Sequence, residues 1–162
     1  MYDAIIAGLE HVQQSELPKR VLAIISDGGD NASTHTLKET LEKISESNTI
    51  IYSIGIYNEY DRDRNPKVLK QVANITGGEA YFPKSASRLS EVCKRIATDI
   101  RSQYTLGYMP SNQKKDGSYR KIRVSVETPN LGRASVRTRS GYIAPHDALD
   151  EKNREKAREQ TN

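Results

Sequence analysis

The residues best equipped for chemistry stand together at one break in the chain. There the apolar run Val21-Leu22-Ala23-Ile24-Ile25 passes into Ser26-Asp27-Gly28-Gly29-Asp30-Asn31. Asp27 follows the last apolar residue by two positions, which sets it at the carboxyl end of a strand, where open α/β sheets bind ligands. Gly28 and Gly29 let the backbone turn without a Cβ clash. Asp30 and Asn31 add hard oxygen donors, which suit Mg²⁺ or Ca²⁺ better than a soft metal. The same spacing also fits an Asx turn, in which Asp and Asn bond their own backbone. Spacing alone does not separate the two readings.

Elsewhere the chemistry is thin. There is no GxGxxG and no Walker lysine, so a nucleotide site lacks its phosphate cradle. No serine, histidine and acid fall into a recognisable catalytic pattern. His11 and His35 read as solvated residues, and Thr76-Gly77-Gly78 reads as a helix terminator rather than an anion nest. Cys93 is the single cysteine, so no internal disulfide forms; its helical spacing reads as a core thiol.

The elements that must position these residues follow from periodicity. Ile5, Ile6, Leu9 and Val12 predict an amphipathic helix over Tyr2 to Leu17, stopped by Pro18. The unbroken run at Val21–Ile25 predicts a strand covered on both faces, as in parallel sheets. Thr34 or Thr36 caps a helix carrying Leu37, Leu41 and Ile44 on one face. Thr49–Tyr57 is a second strand, and Pro66 opens a helix carrying Val68, Leu69, Val72 and Ile75. Glu79–Pro83 is a short third strand. Ser87 opens a helix with Leu89, Val92, Cys93, Ile96 and Ile100 at 3–4 spacing. This alternation builds a parallel sheet with crossover helices.

The pattern then changes. YTLGYMP, YRKIRVSVE and RASVRTRSGYI read as three short strands separated by Asp116-Gly117 and Pro129–Gly132 turns. The domain reading is an α/β portion over 1–104, a β extension over 105–145 and a charged tail over 146–162, disordered or a frayed helix. Of the 162 residues 35% are apolar and 28% charged, enough for a core but polar for the size. The net charge of +4 is local: residues 112–144 hold eight basic and two acidic side chains, so that segment carries +6 and the rest −2. Lys121, Arg123, Arg137 and Arg139 lie on the basic side of the strands and form a candidate anion-binding face, or simply a solvated one. Few aromatic side chains interleave with them, which argues against a specific nucleic-acid partner. No apolar run approaches the ~20 residues of a membrane helix, and the N-terminus lacks the basic and cleavage features of a secretory signal.

The order of segments carries more than periodicity does. MYDAIIAGLEHV, RVLAIISDGGDNAS, TIIYSIGIY, LKQVANITGGEAYFP, IATDIRSQYTLGYMPSN, DGSYRKIRVSV and RTRSGYIAP together resemble a von Willebrand factor A-like (VWA) domain. More narrowly, they resemble the bacterial VWA-domain proteins often found in Acidobacteria, over Tyr2 to Pro145. The resemblance implies a Rossmann-like parallel sheet with flanking helices and a small antiparallel β extension. It also implies a metal-ion-dependent adhesion site, where a DxSxS loop, a threonine loop and a third aspartate hold Mg²⁺ and a partner's carboxylate completes the coordination.

Only the third element maps here, onto Asp27, with Asp30 a weaker candidate and Ser26, Gly28, Gly29 and Asn31 forming the partner-facing loop. DxSxS is absent, and the family's first strand and the two beyond it have no counterpart. The expectation is therefore a domain truncated in its N-terminal half, non-enzymatic, contacting an unknown protein ligand, with an incomplete Mg²⁺ site. The strand at Arg20–Ile25 becomes an exposed edge open to self-association. Relatives are commonly exported, and this chain carries no signal of its own. The alternative is a small Mg²⁺-dependent phosphoryl-transfer enzyme using Asp27 and Asp30, for which only Glu59 and Asp61 stand at a second strand end.

Overall fold

A computed structural model describes residues 1–57, 63–127 and 135–146. The fold is mixed α/β. In chain order the elements are α1 (Tyr2–Gln13), β1 (Val21–Ser26), α2 (Leu37–Glu46), β2 (Ile50–Gly55), α3 (Pro66–Thr76), β3 (Ala80–Tyr81), a 3₁₀ turn (Ala86–Arg88), α4 (Leu89–Arg101), β4 (Tyr119–Lys121) and β5 (Gly141–Ile143). The first three strands form a parallel sheet in the order β1-β2-β3, and β4 pairs antiparallel with β5.

The helix boundaries have local causes. Thr36 caps α2 through a capping box: its hydroxyl accepts from the Glu39 N–H, and its own N–H donates to Glu39 Oε2 at 2.7 Å. Pro66 occupies the first turn of α3, and Gly77 closes that helix in the left-handed conformation. The first helix ends at Gln13, four residues before the expected Leu17. The Ser15 N–H turns back to Val12 O, the Arg20 guanidinium holds Ser15 O at 2.9 Å, and Leu17 stays exposed. With no surface for Leu17 to pack on, the helical pattern has nothing to extend it.

The sheet has a different layer on each face. Ile51 packs with Ile5, Leu9, Ile44, Val68 and Val72, joined by Leu22 and Ile24, so α1, α2 and α3 share one side. Tyr52 and Ile54 pack with Tyr81 and Ile96 under α4, with Val21 at the margin. Thr76 Oγ1 receives the Ile51 N–H at 2.9 Å and donates to Ala73 O, binding the end of α3 to β2. Strand β1 departs from the expectation of cover on both faces. Among the described residues it pairs with β2 alone, and Ile25 is 62% exposed, because α4 lies over β2 and β3 and reaches only Val21. Cys93 is exposed rather than a core thiol. It stands at the margin of the apolar stripe of α4, and a sheet of three strands is too narrow to cover that margin.

The C-terminal strands are shorter than their pattern suggests. YTLGYMP forms no ladder: Tyr104 is 92% and Met109 84% exposed, since no strand among the described residues lies beside them. The segment from Tyr119 pairs over only three residues, with Arg120 opposite Tyr142. The expected turn at 129–132, the start of the last strand at 133–134 and the tail at 147–162 lie outside the described residues, as do Glu59 and Asp61. No helix among the described residues is long and apolar enough to cross a membrane.

These burial differences set different responses to substitution. Ile51→Ala, at a fully buried site on the sheet beneath α1, α2 and α3, is expected to cost about 2–5 kcal/mol in urea unfolding. Cys93→Ser is expected to change stability by less than about 0.5 kcal/mol, with native Cys93 titrating rapidly with a thiol reagent.

Candidate functional site

The loop after β1 is built from its own carboxylates. Asp27 Oδ1 accepts the Gly29 N–H at 3.0 Å, the Asx turn anticipated for this spacing. Ser26 Oγ accepts the Gly28 N–H at 3.1 Å. Gly28 has φ of 86°, and a Cβ there would lie 2.3 Å from Asn65 O. Both the dihedral and the closeness of the α3 N-terminus therefore demand glycine. Asp27 O in turn receives the Asn65 N–H at 3.0 Å, so the loop is bound to the start of α3. Asp27 is half-buried, and its Oδ2 takes no hydrogen bond among the described residues. Asn31 is exposed.

Asp30 has a different occupation. Its Oδ2 accepts the Tyr2 N–H at 2.6 Å and the Ser33 hydroxyl at 2.6 Å, and lies 2.7 Å from the Met1 ammonium. Its Oδ1 accepts the N–H groups of Ala32 and Ser33. The side chain is only 4% exposed. Burial by itself pushes the carboxyl pKa up; the Met1 ammonium, Ser33 and Tyr2 outweigh it and hold the group well below the usual carboxylate range. A carboxylate with both oxygens engaged in this way has no lone pair directed at a metal.

Asp3 answers from the other side. It receives the N–H groups of Thr34 and His35, the Thr34 hydroxyl and His35 Nδ1, the last at 2.7 Å. The Thr34 and His35 N–H bonds lead in holding Asp3 below the usual range. Asp30 thus grips the N-terminus of α1, while Asp3 on α1 grips the chain leading to α2. His35, read from sequence as simply solvated, is part of this clamp. Asp3 and Ser33 gave no sequence signal beyond an acidic first helical turn and a serine in a turn.

The described residues hold no group of three or more His, Cys, Asp or Glu side chains placed to bind a metal. Tested against Mg²⁺, the loop offers the free oxygen of Asp27, while the Ser26 hydroxyl already serves Gly28 and Asp30 is occupied. The donor set does not make up a Mg²⁺ site.

The basic face divides in the same manner. Arg137 bridges Glu79 on one side and Asp99 on the other, and Tyr81 Oη donates to Glu79 Oε2 at 2.9 Å. The Asp99 hydrogen bond leads in raising the Arg137 pKa; burial, then the Glu79 bond, pushes Tyr81 up to about 12. Arg139 donates to Gly141 O, Asn48 Oδ1 and the carbonyls of Ser45 and Ser47. These two arginines tie the β extension to the sheet and to α2; Arg137 is still exposed, as are Lys121 and Arg123. Of the four residues expected to form an anion-binding face, Lys121, Arg123 and Arg137 are exposed, and Arg137 and Arg139 also have partners within the chain.

No protein-family model and no curated protein matches the chain. Among solved structures it is similar to an uncharacterized membrane spanning protein from Vibrio fischeri, with a TM-score of 0.44 and 21% sequence identity over 55% of this chain and 50% of that one. The chain thus spans about half the length of that structure.

The Asp30 clamp predicts acid sensitivity. A carboxyl held below its unfolded value of about 3.9 contributes stability above that pH and loses it as the pH falls towards the folded value. Chemical denaturation at pH 7 and pH 3 is expected to show a marked loss at pH 3. Asp30→Asn is expected to lose about 2 kcal/mol at pH 7 and to flatten the pH dependence.

Proposed function

We propose that this chain is the α/β part of a VWA-like, Rossmann-like interaction module, with Asp27 as its single partner-facing carboxylate. The observation that carries the reading is the division of labour within Asp27. One oxygen is fixed by the Gly29 N–H, and the other, at the carboxyl end of a parallel strand, takes no hydrogen bond among the described residues. A side chain held by an Asx turn is pre-oriented, so less entropy is lost when its other oxygen meets a ligand. Ser26, Gly28, Gly29 and Asn31 frame it, with Asn31 exposed at the rim.

One carboxylate leaves most of the six positions of octahedral Mg²⁺ to water, so affinity from this loop alone is low. Coordination of a cation here depends on oxygen donors brought by the partner. The phosphoryl-transfer alternative required Asp27 and Asp30 to act together, and the engagement of both Asp30 oxygens by Met1, Tyr2, Ala32 and Ser33 removes the support for that pairing.

Titration calorimetry with MgCl₂ tests the reading. Binding weaker than about 1 mM is expected, with chemical-shift changes confined to the Gly28 and Gly29 amides and abolished in Asp27→Ala. Stoichiometric binding at micromolar Mg²⁺ would show a complete site and overturn it.

A further inference from the structure

Where β2 and β3 end, the chain leaves a cleft of about 200 Å³ lined by Ile56, Tyr57, Pro83, Lys84, Ser85 and Leu89. Its walls are mostly apolar, and Ile56 is 43% exposed there. Sites for whole small molecules run to roughly 300–1,000 Å³. This cleft is smaller, and its size suits a single apolar side chain.

Three exposed cations border it. Lys84 lines the cleft itself. The Arg64 guanidinium lies over the ring of Tyr57, 5.2 Å from its centroid, and Lys70 Nζ lies over the ring of Phe82 at 5.4 Å. The two rings are neighbours, with centroids 6.2 Å apart. Phe82 can lie against the end of β2 because Gly55 has no side chain; a Cβ there would come within 2.5 Å of the ring.

A cation held over a ring face spends none of its N–H donors. Among the described residues, Arg64, Lys70 and Lys84 form no hydrogen bond and no ion pair, in contrast to Arg137 and Arg139. Asp63 is exposed next to Arg64 in the chain, and Glu79, ahead of β3, is engaged by Arg137 and Tyr81. We infer that this surface binds an acidic segment of a protein partner, with one apolar side chain in the cleft and carboxylates on Arg64, Lys70 and Lys84. The inference stands apart from the proposed role of Asp27.

The aromatic pair selects a peptide over a nucleic acid. A base stacks on an open ring face, but Tyr57 and Phe82 each carry a cation over one face and tilt 47° against one another. The apolar walls of Ile56, Pro83 and Leu89 also ask for an aliphatic or aromatic side chain, which a polyphosphate backbone does not bring. An apolar anchor in a pocket with a charged rim is the usual arrangement of a protein interface.

Fluorescence anisotropy in EDTA is the test, with a fluorescein-labelled peptide that places glutamates on both sides of one phenylalanine. Binding with Kd of about 100 µM is expected, weakening as salt rises. Glutamine in place of the glutamates, or alanine in place of the phenylalanine, is expected to weaken it at least about tenfold. Lys84→Glu is expected to do the same with unchanged far-UV circular dichroism, and Lys70→Glu keeps the proposal testable if that variant perturbs folding. Lys38→Glu, an equal charge change on α2, is expected to leave Kd within about twofold. No binding at about 1 mM peptide, undiminished binding of the glutamine or alanine peptide, an equal loss in Lys38→Glu, or tighter binding of a labelled oligothymidylate would overturn the inference. EDTA withholds Mg²⁺, so failure here leaves the Asp27 result independent.

Discussion

Strand β2 is hydrogen-bonded along both edges and buried on both faces, and every other element takes its position from it. Its alternate side chains enter different layers: Ile51 meets α1, α2 and α3, while Tyr52 and Ile54 meet α4 and β3. A strand in that position admits no shift of register, because a slip of one residue would exchange the two faces. The Thr76 hydroxyl that receives the Ile51 N–H shows how closely the surrounding helices are fitted to it. The carboxyl ends of β1 and β2 are aligned by the same pairing, with Ser26 opposite Gly55, and this fixes where the Asp27 loop emerges.

Within that loop, neighbouring carboxylates do different work. Asp30 is nearly fully buried and surrounded by donors, so its charge is compensated by the chain itself. It fastens the N-terminus of α1 against the loop, and Asp3 fastens the chain entering α2 against α1. Asp27 is less enclosed, and one of its oxygens is unengaged among the described residues. An Asx turn and a ligand-facing carboxylate are not exclusive, since a carboxylate has two oxygens and the turn uses one. The two readings that spacing left open are compatible in one side chain. The first is visible in the geometry, and the second is the proposed one.

The arginines of the C-terminal region follow a related rule. A guanidinium presents five donors in a rigid fork, which suits it to join several acceptors at once. Arg137 joins β3 to α4 through Glu79 and Asp99, and Arg139 joins β5 to the end of α2 through carbonyl groups. In sequence they are indistinguishable from Lys121 and Arg123, because all four fall on the polar positions of alternating strands. Which cations gain partners within the chain depends on acceptors 58 and 91 residues away, and alternation carries no information about those.

The sequence by itself determined the α/β alternation, a threonine cap at Thr34 or Thr36, the helix start at Pro66 and stop at Gly77, and the place of Asp27 at a strand end. Each of these rests on interactions within a few residues: periodicity, N–H capping and glycine's access to positive φ. Tertiary structure alone decided the rest. The apolar run of β1 looked like a covered strand and YTLGYMP like a short strand, but cover and pairing are supplied by other elements, and here β1 is half covered and YTLGYMP has no neighbouring strand among the described residues. Cys93 satisfied the helical spacing of a core residue, yet the narrow sheet beneath α4 leaves it outside. Asp30 resembled Asp27 on paper. Only the approach of the α1 N-terminus separated them, because a carboxylate's role is set by the donors that reach it from distant parts of the chain.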